Sequence, residues 1–312
     1  MKTAAIVCAQ GMGDGLLMMI VAHQLKRAGY TPTIYHNHVN ELSLLFEDVT
    51  ILPHPPLESL KKTLNPFDRV IIENDNSERA WHLFKLRDQK KLDNLSFFFP
   101  TPCRKYETGD FLFNPKLSVA SNLRIGCEKA LQLSKATKDN GIKLPSGKTY
   151  RKFPARIVIH PTSQDPKRNW RPSQFLRLAK LLKKEGFLIS FTVSPSERKE
   201  WLHVEKEGFM LPPFANLGEV AAYLYESGFL IGNDSGIGHL ASNLQIPTLT
   251  ISGNPKRVRL WKPDWHHGSV VTLPFPLPNF KGIHFRFREN FWQHFISVPR
   301  TLRAFHLLKE SI

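Results

Sequence analysis

The sequence predicts an α/β protein made of two doubly wound halves, and three observations carry that prediction. Short apolar runs of strand type alternate with segments of helical periodicity, which implies a parallel sheet with helices on both faces. Two of the runs end in glycine-bearing polar turns that open directly into a helix: Gly11-Met12-Gly13-Asp14-Gly15 and Gly232-Asn233-Asp234-Ser235-Gly236-Ile237-Gly238-His239. The alternation stops over 137–154, a stretch rich in Lys, Gly, Pro and Ser that reads as an exposed linker, and then starts again.

In the first half, residues 3–9 form a buried strand, followed by a helix over about 15–28 with Leu16, Leu17, Ile20, Val21 and Leu25 on one face. Gly29 sits where a left-handed C-cap ends such a helix. Thr33–Tyr35 and Arg69–Ile72 are the next strands. Residues 96–116, with Phe97-Phe98-Phe99-Pro100 and several turn signals, read as an irregular, substrate-facing loop, and 116–136 as a helix. In the second half, Arg156–His160 is a strand, Pro172–Lys184 a helix burying Phe175, Leu178, Ala179 and Leu182, and Phe187–Val193 a strand. Leu217–Tyr225 is a helix, Phe229–Ile231 a strand, and Thr248–Ile251 another. Pro299–Lys309 is a last helix, with Ser297 near its N-cap and Leu302, Phe305 and Leu308 on its core face.

Composition bounds the function. With 312 residues, 41% hydrophobic and 22% charged, the chain is globular and long enough for two domains. Its 43 Lys and Arg against 27 Asp and Glu leave a net charge of +16, which favours anionic partners. The basic residues are spread out, and no nucleic-acid recognition motif is present, so nucleic acid is not the expected partner. Cys8, Cys103 and Cys127 are odd in number and form no Cys-x-x-Cys pair, which points to a reducing compartment. No secretory h-region opens the chain and no apolar run nears the ~20 residues of a membrane span, so a cytoplasmic protein is expected.

The turns carry the candidate chemistry. A helix N-terminus at the carboxyl edge of a parallel sheet presents backbone N–H groups and a positive dipole end, which suits a phosphate. At the second turn Asp234 and Ser235 can cap the helix and His239 lies one turn inside it. At the first turn, position 16 is Leu where a dinucleotide fingerprint needs glycine, and the second strand ends in His36 and Asn37 rather than a ribose-binding acid. Asp14, a carboxylate flanked by Gly13 and Gly15, keeps two readings: general base toward a hydroxyl, or helix N-cap. After the strand ending at His160, itself a structural residue, Thr162 and Ser163 can donate to phosphate oxygens. Lys167 or Arg168 can balance charge growing on a leaving diphosphate. Glu197 can accept from a ribose hydroxyl or serve a helix N-terminus. No metal-ligand spacing, nucleophile elbow or P-loop is present.

Four segments in order resemble glycosyltransferase family 9, the ADP-heptose:lipopolysaccharide heptosyltransferases: Gly13-Asp14-Gly15-Leu16-Leu17; His160 to Trp170 with the helix at Arg171-Pro172; Leu211-Pro212-Pro213-Phe214; and Gly232 to His239 followed by Ile246-Pro247. The resemblance implies a GT-B fold, two Rossmann-like domains facing across a cleft: an acceptor-binding domain over 1–150, a donor domain over 151–295, and a C-terminal helix over 296–312 returning to the first domain. It implies an inverting, metal-independent transferase without a cofactor, its donor a nucleotide sugar such as ADP-heptose. Asp14 would be the base, with Gly13 and Gly15 on the acceptor side. Lys167 would be catalytic, and Thr162, Ser163, Arg168, Asp234, Ser235, Gly236 and His239 would hold the diphosphate and sugar. Phe214 and Glu197 would lie near the nucleoside. The acceptor would be an anionic glycolipid, met in the cytoplasm or peripherally at the inner membrane. Alternatives are another nucleotide sugar, another glycan or a protein as acceptor, or an inactive glycan- or nucleotide-binding relative. The chain departs from the family after the signature, where Gly253-Asn254-Pro255-Lys256-Arg257 stands for the usual Gly-Pro-Thr. The tail Phe285-Arg286-Phe287-Arg288, Phe291-Trp292 reads as core with solvated charges, or as a surface touching an anionic membrane.

Overall fold

The computed structural model describes residues 1–100, 107, 109–274 and 287–312. The chain divides into two compact units, 1–143 and 144–312. The first contains β1 (Lys2–Val7), α1 (Met12–Arg27), β2 (Tyr30–Tyr35), α2 (Val39–Ser43), β3 (Thr50–Leu52), α3 (Leu60–Leu64), β4 (Arg69–Glu73), α4 (Glu78–Asp88), β5 (Leu95–Phe99), β6 (Phe111–Leu112) and α5 (Val119–Lys129). Its sheet runs β3-β2-β1-β4-β5-β6 with every pair parallel. Strand order therefore reverses between β1 and β4, the point where open α/β sheets leave a crevice at their carboxyl edge.

α1 ends as the glycine predicts, with Gly29 at φ +84°. The expected loop at 96–99 is instead the buried strand β5. Phe97, Phe98 and Phe99 are fully buried, and Phe84 of α4 stacks on Phe97 at 3.9 Å. A run apolar on both faces is what an interior parallel strand requires; the following Pro100 made it look like a turn. The guanidinium of Arg87 pairs with Asp110, at 2.8 Å, under this cluster; both side chains are buried. The linker reading also changes. Residues 137–143 dock on α1, where Asn140 Nδ2 donates to the Leu16 carbonyl (2.9 Å) and Gln24 Nε2 to that of Asp139 (2.9 Å).

The second unit contains β7 (Phe153–His160), α6 (Pro172–Lys184), β8 (Leu188–Phe191), α7 (Arg198–Trp201), α8 (His203–Lys206), α9 (Leu217–Tyr225), β9 (Ser227–Asn233), α10 (Gly236–Asn243), β10 (Thr248–Ile251), α11 (Pro255–Trp261), β11 (Gly268–Val271), α12 (Phe287–Phe295) and α13 (Val298–Glu310). Its order is β11-β10-β9-β7-β8, again parallel throughout, with the reversal between β7 and β9. The core is built on Ile157, Ile159, Phe175, Phe191, Phe229 and Ile231. α13 buries Val298, Thr301, Phe305 and Leu308 in this unit, beside α6, β10 and β11. Its apolar stripe thus finds the second unit's own sheet, where the sequence reading sent it back to the first domain. Trp292 of α12 is buried as well, its Nε1 donating to the Lys167 carbonyl (2.9 Å). Gly253 admits it, since a Cβ there would fall 2.2 Å from the indole ring. This part of the aromatic tail is core; Phe285 and Arg286, and the side chains of Phe287 and Arg288, lie outside the described residues. Among the described residues no helix is long and apolar enough to cross a membrane.

Candidate active site

In the second unit, parallel strands bring the loops after β7, β8, β9 and β10 to one sheet edge. Asn233, the last residue of β9, ties two of them. Its Oδ1 accepts the Trp170 N–H (2.9 Å) and its Nδ2 donates to the Pro161 carbonyl (2.7 Å), so the 161–170 loop is fastened beside the α10 N-terminus. His160 fastens β7 to β8, with Nδ1 2.8 Å from the Thr192 carbonyl, and burial holds its pKa below the usual histidine value. This is the structural role expected of it.

Asp234 and Ser235 do not cap α10 with their side chains. The buried Asp234 carboxylate accepts from Arg257 Nε at 3.0 Å and stands 3.9 Å from Arg168 Nη1. Ser235 Oγ and His239 Nδ1 are buried with no hydrogen-bond partner among the described residues. His239 is 4% exposed, and its pKa falls to about 4, first through burial; Asp234 pulls it up, Arg257 pushes it down, and a hydrogen bond to the Trp261 backbone raises it. It is a neutral ring at physiological pH. Gly236 begins α10, and the Gly238 N–H donates to the Ser235 carbonyl (3.1 Å) in its first turn.

The remaining donor-side residues are placed unequally. Thr162 Oγ1 donates to Glu197 Oε2 (3.2 Å), which also accepts from the Ser194 N–H (3.0 Å) and hydroxyl (2.6 Å). Glu197 therefore joins the loops after β7 and β8, and Thr162 spends its hydroxyl there. Ser163 Oγ lies 2.7 Å from Asn169 Oδ1. Lys167 and Arg168 form a single 3₁₀ turn begun by Asp165, with Lys167 exposed. Phe214 packs on Tyr223 (ring centroids 5.2 Å), whose ring lies 3.8 Å from the Arg156 guanidinium carbon.

In the first unit, the β1–α1 turn lies beside the end of β4. Asp14, at the third helical position, accepts the Gly11 N–H at 2.9 Å, the capping geometry expected of one of its two readings. Gly13 is half-buried in the same turn, and a Cβ on Gly15 would come within 2.8 Å of Leu42 and 3.2 Å of His36. His36 Nε2 meets the Gly11 carbonyl (3.1 Å) while its Nδ1 accepts the His38 N–H (3.0 Å), so the ring is neutral with its proton on Nε2. Burial lowers its pKa to about 4 and that of neighbouring His54 to about 3. Glu73, 3% exposed, accepts the Ala9 N–H at 2.9 Å. Burial first, then the Asp14 charge, push its carboxyl well above the usual range. Cys8 and Cys127 are buried thiols, and Cys103 lies outside the described residues.

Asn233, Arg257 and Glu73 were not singled out from sequence. Glu73 had a legible signal, an acid closing the apolar run Val70–Ile72 at a sheet's carboxyl edge. Arg257 had one too, a cation in the first turn of the helix after β10. Among the described residues no group of three or more His, Cys, Asp or Glu is arranged to hold a metal ion.

A profile of glycosyltransferase family 9 (heptosyltransferase) matches residues 116–275. No curated protein sequence matches the chain. Among solved structures, E. coli heptosyltransferase WaaC with ADP is similar at TM-score 0.68 and 15% identity, over 99% of this chain and 100% of that one. E. coli ADP-heptose lps heptosyltransferase II is similar at TM-score 0.67 and 16% identity, over all of both chains. TibC from enterotoxigenic E. coli, described as an iron-containing dodecameric glycosyltransferase, is similar at TM-score 0.58 and 12% identity, over 99% of this chain and 76% of that one. At these identities the likeness is one of fold, the GT-B architecture.

Proposed function

We propose, for a chain that belongs to glycosyltransferase family 9 (heptosyltransferase), a defined reaction: heptose passes from ADP-heptose to a hydroxyl of an anionic lipopolysaccharide-core acceptor, with inversion and without a metal. The observation that carries the reading is the α10 N-terminus. There, the Ser235 hydroxyl and the His239 ring nitrogen lack protein partners among the described residues, and Arg168 and Arg257 stand on the neighbouring Asp234 carboxylate. Buried polar groups without partners are costly, and a diphosphate would satisfy them.

In the proposed step the acceptor O–H bond breaks and its proton goes to the Asp14 carboxylate. The oxygen forms a bond to the anomeric carbon from the face opposite the nucleotide. The bond from that carbon to the β-phosphate oxygen breaks, and its electron pair leaves on ADP. Lys167, Arg168 and the α10 N–H groups offset the charge that develops on the diphosphate, the part a metal plays elsewhere. Gly236 lets the helix N-terminus approach the phosphates without a side chain between. Glu197 supports the donor site by holding the 162 and 194 loops together, and Thr162, Ser163 and Phe214 line its approaches. Gly13 leaves the half-buried turn at Asp14 without a side chain on the acceptor side, and Gly15 lets that turn pack closely on Leu42 and His36. Relatives crystallised with ADP and with ADP-2-deoxy-2-fluoro heptose support the choice of donor. The chain's net charge of +16 supports an anionic acceptor, presented at the cytoplasmic face of the inner membrane.

Titration calorimetry with ADP, UDP and GDP in EDTA tests the donor. ADP is expected to bind in preference and without metal. A preference for UDP or GDP replaces the donor, and binding that returns only on adding a divalent ion or iron overturns metal independence.

A further inference from the structure

We infer that Arg257 is a further donor-site residue, a fixed cation on the leaving diphosphate, and that Asp234 positions it rather than touching the donor. The inference rests on the donor reading above and assigns parts within it. One carboxylate oxygen, Oδ2 of Asp234, faces two guanidinium groups from separate segments, Arg257 Nε at 3.0 Å from the first turn of α11 and Arg168 Nη1 at 3.9 Å from the 3₁₀ turn. The Asp234 side chain is 6% exposed, whereas that of Arg257 is 41% exposed. The carboxylate therefore looks inward to the arginines, and the arginines look outward. A bare carboxylate laid against a diphosphate would repel it; one carboxylate beneath two guanidinium groups leaves a net positive charge at the helix N-terminus.

The geometry of Arg257 suits this use. A guanidinium has five N–H donors, and the bond to Asp234 takes the one on Nε. The four on Nη1 and Nη2 form the fork that matches two phosphate oxygens. Three further contacts limit its freedom. Asn254 Oδ1 accepts the Arg257 N–H (3.1 Å), Trp261 lies 5.5 Å from the guanidinium carbon, and Pro255 starts the helix that bears it. A cation held before the donor arrives costs little reorganisation as the bond from the anomeric carbon to the β-phosphate oxygen breaks. In the same turn Ser235 Oγ and the buried His239 Nδ1 await partners.

The test is ADP and pyrophosphate affinity of the full chain by calorimetry, for wild type, R257Q, R257K, R257A, D234N and the D234N/R257Q pair. R257Q is expected to weaken ADP by about 10- to 100-fold, the worth of a charge-assisted pair, with R257K recovering only part. D234N is expected to weaken ADP when Arg257 is present and to add nothing in the R257Q background. Added guanidinium ion should restore ADP affinity to R257A. Unchanged ADP affinity in R257Q overturns the assignment of Arg257. Equal losses from D234N with and without Arg257 overturn the positioning role. R257Q, at a half-exposed site, decides the first point even where D234N fails to fold. Wild type that binds pyrophosphate through Arg257 but no nucleoside diphosphate keeps Arg257 and overturns the donor reading; wild type that binds neither overturns both.

Discussion

Acidification should weaken the second unit through His239, by an amount the structure sets. The ring is 4% exposed and its pKa is lowered to about 4 from 6.5, with burial the largest cause. The folded state binds its proton later than the unfolded chain does, so stability is full above the unfolded value and falls as pH drops from about 6.5 toward 4. At pH 7.5 the contribution is close to zero. At pH 5 the unfolded histidine is almost wholly protonated and the folded one is not, which removes ~2 kcal/mol, rising to ~3 kcal/mol below pH 4. His160 and His266 of the same unit move in the same direction, so its total loss exceeds His239's share, and His36 and His54 act likewise on the first unit. Comparison with H239Q isolates that share. Urea unfolding read by tryptophan fluorescence suits the measurement, because Trp170, Trp201, Trp261, Trp265 and Trp292 all lie in the second unit. The difference in stability between pH 7.5 and pH 5 should be ~2 kcal/mol smaller in H239Q than in wild type. Parallel pH dependences would refute the reasoning, and would mean that a charged ring is accommodated beside Asp234.

Three other outcomes are expected. D14N should lower transfer by about 10²- to 10⁴-fold, the range of a lost general base, and leave ADP affinity unchanged in calorimetry; retained transfer would reduce Asp14 to its capping role. E73Q should be more stable than wild type at pH 7 and equal to it near pH 4 in urea titrations. The raised pKa means wild-type folding forgoes an ionisation the unfolded chain enjoys above about 4.5, and glutamine still accepts the Ala9 N–H. Lower stability of E73Q at pH 7 would show an ionised, stabilising carboxylate. D110N should cost about 3–5 kcal/mol in the first unit, seen by calorimetric melting, because Arg87 keeps a buried charge whose other acidic neighbour, Glu107, is 3.4 Å away and half-exposed.

The two α/β halves, the strand–turn–helix units at Asp14 and at Gly232–His239, the Gly29 helix end and the core faces of α6 and α13 were legible in the sequence. All are local: period, glycine placement and capping act over a few residues, and a chain read in order displays them. What the sequence left open depends on which strands become neighbours. Glu73 meets Ala9 because β4 lies beside β1, and Asn233 meets Pro161 and Trp170 because β9 lies beside β7. Arg257 meets Asp234 only because β10 follows β9 across the sheet. An apolar run before proline, such as Phe97–Phe99, has no period to declare it a strand, and the apolar stripe of α13 states that a helix is buried but not against what. Sequence alone settled the family, the fold and where the chemical turns fall. The tertiary structure decided the electrostatics of the site, since the partners of Asp234, Glu73 and His239 are chosen by sheet order and burial, neither of which is written in any short stretch of chain.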